Sequence, residues 1–527
     1  MLRDGKNKSV WQETSMSVSK PAEILEKYDV LIVGAGITGL TTAVRLLEMG
    51  KTCLLTEANR VGFGTTSGTS AHLNTVLDTP YTQIIKQHGV EKARRVLEST
   101  REAIRVVEGN VARYHIECDL ERCHGIMYAQ NEKEKDELTR IRDAIKELGI
   151  PCEEIEGNPL SVPSLYAIQF QEQGRFHPTK YLKGLLKAVL DRGGHILEQT
   201  LVQHVTEKDG ARVIKTADGR MFVADNVVYA THTPPGIQQM SFRLSPYRSY
   251  IQVWELVENY VFPDEVVYDM QEPFHYFRQV VENGKTYLMV GGQDHKTAHH
   301  QNEQYNFLEL EAFVRGTLPA KQKRYEWSSQ YYESQDSLPF IGQFPGPGHD
   351  NEYIATGFGG NGMIFGSLSG VLIADLIVNK SSTYSDLYSP ARVGPLSSIP
   401  DLLLENLDVV KHFIQDRFTW EKVEGMVELA CGEGKIVKYE GERVGVYKDE
   451  EGHITAVDPV CRHAACVVKW NNTEHSWDCP CHGARYAPDG SLLNGPSVAP
   501  LKRWEFDQEA SAQATDDTSS ARRDMNE

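Results

Sequence analysis

The stretch YDVLIVGAGITGLTTAVRLLEMGKTCLLTE, residues 28–57, decides the fold of this chain. Its first six residues read as an apolar strand, and its end reads as a second strand that stops at the acidic residue Glu57. Between the strands, a loop of pattern G-x-G-x-x-G opens a helix, with the glycines Gly34, Gly36 and Gly39. In this context the glycine loop and helix N-terminus bind a dinucleotide pyrophosphate, and the acid accepts hydrogen bonds from ribose. The stretch predicts a doubly wound α/β domain, with β–α packing that binds no ligand as the alternative.

Length and charge limit the classes of function. The 527 residues suffice for about three domains. With 73 acidic residues against 55 Lys and Arg, the net charge is −18. Nucleic acid and anionic membranes repel such a chain, so we expect neither as a partner. We also expect no membrane span and no signal-peptide core, and therefore a cytoplasmic protein, because no apolar run is long enough for either segment.

Composition changes along the chain divide it into five segments. They are a polar, flexible N-terminus (1–26), an α/β body (27–380), a Ser- and Pro-rich connector with a helical stretch near 401–417 (381–420), a small β domain (421–508) and a disordered tail (509–527). Within the body, apolar spacing predicts helices over 91–114 and 132–149 and strands over 247–258 and 285–292.

Further segments of the body resemble a known family. They are VGFGTTSGTSAHL (61–73), the stretch from His195 to His232, and DSLPFIG (336–342) followed by YIATGFGGNGMIFG (353–366). Together with the glycine loop they resemble the D-amino-acid, glycine and sarcosine oxidases, which are FAD-dependent oxidoreductases. The resemblance implies the two-dinucleotide-binding FAD fold with an inserted mixed α+β substrate domain, at about 80–190 and 240–335.

The same resemblance assigns cofactor-binding residues beyond the glycine loop and Glu57. Val202 would contact adenine through its backbone, and Thr65 and Thr66 would line the flavin. The N-terminus of a helix would lie near the flavin pyrimidine ring and favour an anionic reduced flavin. The residues at that helix start are Gly359, Gly360, Gly362 and Met363.

Two short stretches near the C-terminus carry metal-ligating residues, CRHAAC (461–466) and DCPCHGARY (478–486). Cys461-x-His463 and Cys479-x-x-His482 are separated by fifteen residues, whereas zinc fingers place their cysteines before their histidines. The spacing resembles the Rieske [2Fe–2S] centres of cytochrome bc complexes, in which two thiolates and two imidazoles hold the two irons and raise the potential. Zinc is the alternative.

The Rieske resemblance also accounts for two further cysteines. It implies a disulfide between Cys466 and Cys481 that ties the two ligand loops together, although a reducing cytoplasm opposes such a bond. LLNGPSVAPL (492–501) resembles the third loop that covers the cluster. Ala484 stands where relatives carry a serine that donates a hydrogen bond to a cluster sulfide, so we expect a lower potential than in a serine-bearing relative. Tyr486 keeps the tyrosine of that family.

The two resemblances together imply a redox chain. A small amine or amino-acid-like substrate would give a hydride to FAD, and the cluster would take the electrons singly and pass them to an external protein or quinone-like acceptor. The alternative is a non-enzymatic electron relay or redox sensor that uses the same flavin and cluster but oxidises no organic substrate.

The substrate site is the least defined part. Glycine and D-amino-acid oxidases bind the substrate carboxylate with an arginine five residues before the aspartate of the DSLPFIG segment, a place that Tyr331 occupies here. Arg278 could replace that arginine, and His177 and His232 could face the flavin; for these three a structural role is the alternative. A non-haem iron site is a further alternative, with candidate ligands Asp294, His295, His299 and His300.

Overall fold

The computed structural model describes residues 4–13, 16, 18, 23–160, 162–236, 239–299, 302–392 and 429–505. The expected helix near 401–417, most of the connector and the tail at 509–527 lie outside these residues.

The helices alternate with strands through the first part of the chain. The described α-helices are α1 (Ile37–Glu48), α2 (Tyr81–His88), α3 (Val90–Tyr114), α4 (Glu132–Glu147), α5 (Pro178–Asp191), α6 (Gln304–Thr317) and α7 (Gly362–Asn379). The strands of that part are β1 (Tyr28–Val33), β2 (Cys53–Thr56), β3 (His72–Leu73), β4 (Glu121–Ala129), β5 (Cys152–Ile155), β6 (Tyr166–Arg175), β7 (His195–Leu197), β8 (Val202–Lys208), β9 (Ala211–Thr216), β10 (Met221–Tyr229), β11 (Leu244–Leu256), β12 (Val266–Asp269), β13 (His275–Glu282), β14 (Lys285–Lys296), β15 (Ala320–Ser334), β16 (Phe340–Gln343) and β17 (Glu352–Thr356). The helices predicted over 91–114 and 132–149 are confirmed as α3 and α4. The strands predicted over 247–258 and 285–292 are confirmed as β11, which ends two residues earlier at Leu256, and as part of β14.

One sheet carries the nucleotide-binding half, with strand order β16-β17-β10-β1-β2-β7 and the β8–β9 hairpin paired to β10. Its inner strands run parallel, and β1 lies between β2 and β10. A parallel sheet must be covered on its faces, so these strands are almost continuously apolar and buried. Helices α1 and α7 pack so closely that a Cβ atom at Gly370 would lie 2.6 Å from the Cγ2 atom of Thr41.

A second, nine-stranded sheet has the order β15-β11-β14-β13-β12-β4-β6-β3, with β5 paired to β6. Its longest strands, β11, β14 and β15, are antiparallel neighbours. This sheet is assembled from residues far apart in the chain: all of its strands except β3 come from the two segments where a substrate domain is expected. It supplies one wall of the cavity described below.

The C-terminal part is all β. Its strands are β18 (Gly434–Tyr439), β19 (Glu442–Lys448), β20 (Ile454–Val457), β21 (Lys469–Asn471), β22 (Ser476–Asp478), β23 (Arg485–Tyr486) and β24 (Leu492–Asn494). They form a three-stranded and a four-stranded sheet. The two cysteine- and histidine-containing loops lie beside the four-stranded sheet, where Trp477 and Tyr486 are fully buried.

Residues 4–13 depart from the prediction of a flexible N-terminus over 1–26. Trp11 is 1% exposed, and its indole N–H donates to the Thr69 carbonyl at 2.6 Å. Ser9 donates to the Ser67 carbonyl at 2.5 Å, and the backbone N–H of Lys6 donates to Glu474 at 2.9 Å. The segment therefore contacts both the nucleotide-binding half and the C-terminal domain. The polar sequence of this segment did not indicate these contacts, because backbone groups take part in many of them.

Helix α7 is, among the described residues, the one helix long and apolar enough to cross a membrane, with a mean hydropathy of 1.7 over 18 residues. Within this window, 67% of the residues are buried in the protein. Gly366 and Gly370 of α7 pack against Ile37, Thr38 and Thr41 of α1. The expected absence of a membrane span stays a prediction.

Candidate active site and cluster site

The glycine loop is shaped by close backbone approaches. Gly34 has φ +103°, and a Cβ atom there would lie 2.5 Å from the carbonyl oxygen of Ala230. A Cβ atom at Gly39 would lie 1.9 Å from the carbonyl oxygen of Gly34. Only glycine fits at either place, so the first turn of α1 can approach the end of β1 and leave its N–H groups beside an open space.

That open space is a cavity of about 540 Å³. Most of the residues predicted to bind the cofactor line it: Gly34, Gly36, Glu57, Thr65, Thr66, Val202, Gly360, Gly362 and Met363. Gly39 and Gly359 do not line the cavity but support residues that do. Gly39 packs against Gly34, and the Gly359 N–H donates to the Tyr332 carbonyl at 2.9 Å. The N-termini of α1 and α7 both reach the cavity, which fits a ligand with a pyrophosphate and a flavin ring that accumulates negative charge.

Glu57 has a second role that the sequence did not indicate. Its carboxylate accepts hydrogen bonds from the backbone N–H of Ala35 at 3.0 Å and of Asn59 at 2.9 Å. Burial raises the pKa of this carboxyl group above its ordinary value. Glu57 thus holds the glycine loop in shape while it faces the cavity, and its contact with ribose stays a prediction.

The four residues expected to hold the cluster lie together. Cys461, His463, Cys479 and His482 are each at most 6% exposed, and the two imidazole rings are 4.8 Å apart between centroids. The pKa of the Cys461 thiol falls to about 7 because Cys479 and Tyr486 hydrogen-bond to it. The Tyr486 hydroxyl lies 3.2 Å from the Cys461 sulfur.

The protonation of the histidines fits metal binding. Nε2 of His463 lies 2.9 Å from the Gly236 carbonyl oxygen, which can only accept, so the ring proton is on Nε2. Its Nδ1 atom, like that of His482, is buried and has no hydrogen-bond partner among the described residues. Burial lowers the pKa of His482 to about 4, which keeps the imidazole neutral. Two neutral imidazoles and two thiols form the donor set of a mixed-ligand two-iron cluster.

The predicted disulfide is confirmed, since the structure joins Cys466 to Cys481. The backbone also fixes each loop, through hydrogen bonds from the Cys461 N–H to the Cys466 carbonyl and from the Cys479 N–H to the Ala484 carbonyl, both at 2.8 Å. The two ligand loops are therefore tied to each other by the disulfide and braced individually.

The cluster loops dock against the nine-stranded sheet. The Tyr332 hydroxyl donates to the His482 carbonyl at 3.1 Å, and the Gln330 amide donates to the Gly483 carbonyl at 2.9 Å. The third loop of the C-terminal domain reaches further, because residues between 491 and 500 form part of the wall of the 540 Å³ cavity. The cofactor cavity and the cluster loops, which are far apart in the sequence, are thus neighbours on either side of the end of β15.

A buried ion pair joins the same two parts of the chain. Arg248 of β11 and Glu474 of the C-terminal domain are each 1% exposed, with 3.3 Å between Nη2 and Oε1. The Ser328 hydroxyl also donates to Glu474. Burial opposes the charge on Arg248, but the negative charges of Glu474 and Asp478 raise its pKa above the ordinary value. Removing either charge would leave the other one buried without a compensating partner.

Two of the four candidate catalytic residues lie away from the cavity. The Arg278 guanidinium donates to the carbonyls of Ser70 and Ala71, both at 2.9 Å, so it is held by the backbone. His177 accepts from the Lys180 N–H at the start of α5, and burial lowers the pKa of its imidazole to about 4. Both side chains have the structural role that was the alternative.

The other two candidates, Tyr331 and His232, line the cavity. The Tyr331 hydroxyl donates to Asp294 at 2.9 Å. The His232 ring packs edge-on against Tyr332, with 4.8 Å between centroids, and burial lowers the pKa of His232 to about 4. His232 therefore stands between the cavity and the tyrosine that contacts the cluster loop.

The iron-site alternative is not supported by the strand geometry. Asp294 faces the cavity, whereas the ring of its neighbour His295 bonds to the Tyr250 hydroxyl at 2.9 Å. Neighbours on a strand point to opposite faces, so β14 separates these two candidate ligands. His300 lies outside the described residues.

Sequence reasoning missed Asp78 as a cavity residue and considered Asp294 only as a metal ligand. Both line the cavity. No local pattern marks Asp78, which lies in the loop between β3 and α2. The available signal in the sequence was Tyr331 itself, which stands in place of an arginine and so removes a positive charge from the site.

Comparisons with known proteins agree with this geometry. The family described as FAD dependent oxidoreductase matches residues 29–376, and the Rieske [2Fe-2S] domain matches residues 419–505. YhfW of Bacillus subtilis (strain 168), a protein named for a Rieske 2Fe-2S iron-sulfur centre, is 31% identical over 91% of this chain and 94% of its own length.

Two further proteins are similar to the first part of the chain. Gamma-glutamylputrescine oxidoreductase of Escherichia coli (strain K12) is 24% identical over 66% of this chain and 83% of its own length. The crystal structure of glycine oxidase from Geobacillus kaustophilus shares the fold, with a TM-score of 0.59 and 20% identity over 70% of this chain and all of that one.

Proposed function

Since the chain belongs to the FAD-dependent oxidoreductase family and carries a C-terminal Rieske [2Fe–2S] domain, we propose that it oxidises a small amine or amino-acid-like substrate and exports the electrons through the cluster. The flavin, when bound, supplies a two-electron acceptor, and the cluster carries one electron at a time. Cys461, His463, Cys479 and His482 would hold the cluster. An external protein or quinone-like acceptor would complete turnover, and a cytoplasmic location stays a prediction.

One observation carries this proposal: the cavity and the cluster loops share a wall. The Tyr332 carbonyl accepts from the N–H of Gly359, in the loop before α7, and its hydroxyl donates to the carbonyl of the cluster residue His482. Two hydrogen bonds and one side chain therefore connect the cofactor loop to the cluster loop. A relay that needed a large domain movement would not require such a contact.

The names of the relatives support the substrate class. One relative is named for the oxidation of an amine, gamma-glutamylputrescine, and one structural neighbour is named for the oxidation of an amino acid, glycine. The cavity of about 540 Å³ also borders side chains of the nine-stranded sheet, which leaves a polar wall for a small substrate beside the cofactor.

The test is anaerobic rapid mixing of the purified holoprotein with candidate amines and amino acids. Flavin absorption and the electron-spin signal of the reduced cluster are followed together. We expect flavin reduction first, then appearance of the cluster signal at a rate that Tyr332→Phe slows several-fold. Tyr305→Phe, at an exposed tyrosine of α6, is the matched control. A cluster that stays oxidised beside a fully reduced flavin would contradict the proposal.

The same experiment separates the proposal from a non-enzymatic relay or redox sensor. In a relay, no small organic molecule reduces the flavin, and only a reduced partner protein does so. After reduction, ferricyanide, a quinone analogue and a soluble haem protein are supplied separately. The compound that reoxidises the cluster identifies the class of the external acceptor.

A further inference from the structure

The nine-stranded sheet supplies a distinct polar wall to the cavity. Ser249 of β11, Tyr276 of β13, Asp294 of β14 and Tyr331 of β15 all line it. Asp78 reaches the same cavity from the loop before α2. The charged members of this wall are thus two carboxylates.

The two carboxylate oxygens of Asp294 differ in their hydrogen bonding. Oδ2 accepts a hydrogen bond from the Tyr331 hydroxyl at 2.9 Å. Oδ1 is buried and has no hydrogen-bond partner of ordinary geometry among the described residues, although the Ser249 hydroxyl lies close enough to the carboxyl group to lower its pKa. A buried carboxylate oxygen without a donor is costly, so this atom favours a ligand that brings an N–H or O–H group.

Asp78 is held at the start of α7. Its backbone N–H donates to the Asn361 side chain at 3.2 Å, and the Asn361 amide donates back to Oδ1 at 3.3 Å. A Cβ atom at Gly360, where φ is +81°, would lie 2.1 Å from Oδ2 of Asp78. The carboxylate therefore occupies a place that only glycine at position 360 leaves free.

The two carboxylates make the wall electronegative. The Asp78 side chain is exposed to the open cavity, where partial desolvation within the fold and the nearby charge of Asp294 raise its pKa to about 7. Burial raises the pKa of Asp294 to about 6. Among the described residues that line the cavity, none is Lys or Arg. The wall therefore has no cation to pair with a substrate carboxylate, whereas its carboxylates and the aromatic rings of Tyr276 and Tyr331 suit a bound cation.

We propose that the substrate is a primary or secondary amine that binds as an ammonium ion and has no carboxylate next to the oxidised carbon, with Asp78 and Asp294 as its counter-ions. This inference rests on the proposed function and narrows its substrate class. The ammonium N–H donates to the unpartnered oxygen of Asp294, and the side-chain oxygens of Asp78 add a second negative charge.

The carboxylates also serve the chemistry. The ammonium nitrogen loses one proton to one of them, which gives the neutral amine that can be oxidised. With the flavin bound, the C–H bond next to nitrogen would break, its electron pair and hydrogen would pass to the flavin as hydride, and the nitrogen lone pair would form the C=N bond of the iminium product. The second carboxylate stays beside the cationic product.

The first test compares matched pairs that differ by one carboxylate: putrescine and ornithine, cadaverine and lysine, butylamine and both enantiomers of 2-aminopentanoate. The full-length holoprotein is mixed with each under anaerobic conditions and flavin reduction is measured. We expect the amines to have a second-order rate constant roughly 100-fold higher, the ratio that about 2.7 kcal/mol of charge discrimination gives.

The outcomes separate the two proposals. If the amino acids reduce the flavin as fast as the amines or faster, the substrate class proposed here is wrong while the proposed function stands. If neither set reduces the flavin although dithionite reduces both flavin and cluster, both proposals fail.

The second test measures binding without turnover. The titrants are acetate and tert-butylammonium, which has N–H groups but no C–H bond next to nitrogen that could be oxidised, and the flavin absorption spectrum of the same protein reports binding. We expect saturable binding of tert-butylammonium, no binding of acetate, and a roughly 10-fold weaker cation affinity in Asp294→Asn. Asp78→Asn is the second variant if Asp294→Asn does not retain its flavin, and Glu258→Gln, at an exposed glutamate, is the control. Acetate binding, or unchanged cation affinity in a folded variant, would overturn the inference.

Discussion

The buried ion pair between Arg248 and Glu474 is expected to hold the cluster domain against the nine-stranded sheet. In Glu474→Gln the shape is kept but the charge is lost, and Arg248, 1% exposed, remains without its carboxylate. Removing one partner of a buried pair costs about 3–5 kcal/mol. The glutamine oxygen can still accept from the Lys6 N–H, which lies 2.9 Å from the carboxylate, so we expect about 3 kcal/mol.

The assay is urea denaturation of the holoprotein, with visible circular dichroism of the cluster as the probe. That signal follows the domain that contains Glu474. About 3 kcal/mol divided by a slope of roughly 1–3 kcal/mol per molar urea predicts a midpoint at least about 1 M lower. Flavin-to-cluster electron transfer should also slow in the absence of denaturant, because the same pair positions the cluster loop.

The matched control is Glu442→Gln, which removes an exposed carboxylate from β19 of the same domain. Surface changes of this kind usually stay within about 0.5 kcal/mol. A double-mutant cycle with Arg248→Gln isolates the pairwise energy. If Glu474→Gln changes the free energy of unfolding by less than about 1 kcal/mol and leaves the transfer rate intact, the docking role assigned to the pair is refuted.

Three further predictions concern the sites themselves. Binding of tert-butylammonium should strengthen as pH rises from about 5 to 8, because carboxyl groups with pKa values near 6 and 7 must lose their protons to attract a cation. In Asp78→Asn the upper step of this profile should vanish. A flat profile in the wild-type protein would contradict the assignment. Gly39→Ala should abolish flavin retention, because its Cβ atom would lie 1.9 Å from the Gly34 carbonyl oxygen. Gly109→Ala is the control, since a Cβ atom there has no neighbour within 4 Å and flavin should be retained. The flavin-to-protein ratio after purification measures both outcomes. Ala484→Ser should raise the cluster potential by about 40 mV, the one-electron equivalent of about 1 kcal/mol for a hydrogen bond to sulfur, and voltammetry that finds no upward shift would disprove it.

Several elements of the site were readable from short stretches of sequence. The glycine loop works through backbone contacts over a few residues, so its spacing alone marks the place where β1 meets α1. The cluster loops behave in the same way, because Cys461 and His463, like Cys479 and His482, are at most three residues apart. The disulfide between Cys466 and Cys481 was available only from the family resemblance, since spacing does not specify which cysteines pair.

The sequence could not indicate which side chains form the substrate wall or the domain contact. Asp294 and Tyr331 meet because β14 and β15 flank β11 in one sheet, and Asp78 reaches them from the loop between β3 and α2. Arg278 and His177 show the converse, since both are chemically able to act but the folded backbone uses their hydrogen-bonding capacity. By itself, then, the sequence determined the fold class and the residues whose chemistry depends on near neighbours. Only the tertiary structure decided the charge of the cavity and the docking of the cluster domain, because an electrostatic environment is a sum over all groups that folding brings together.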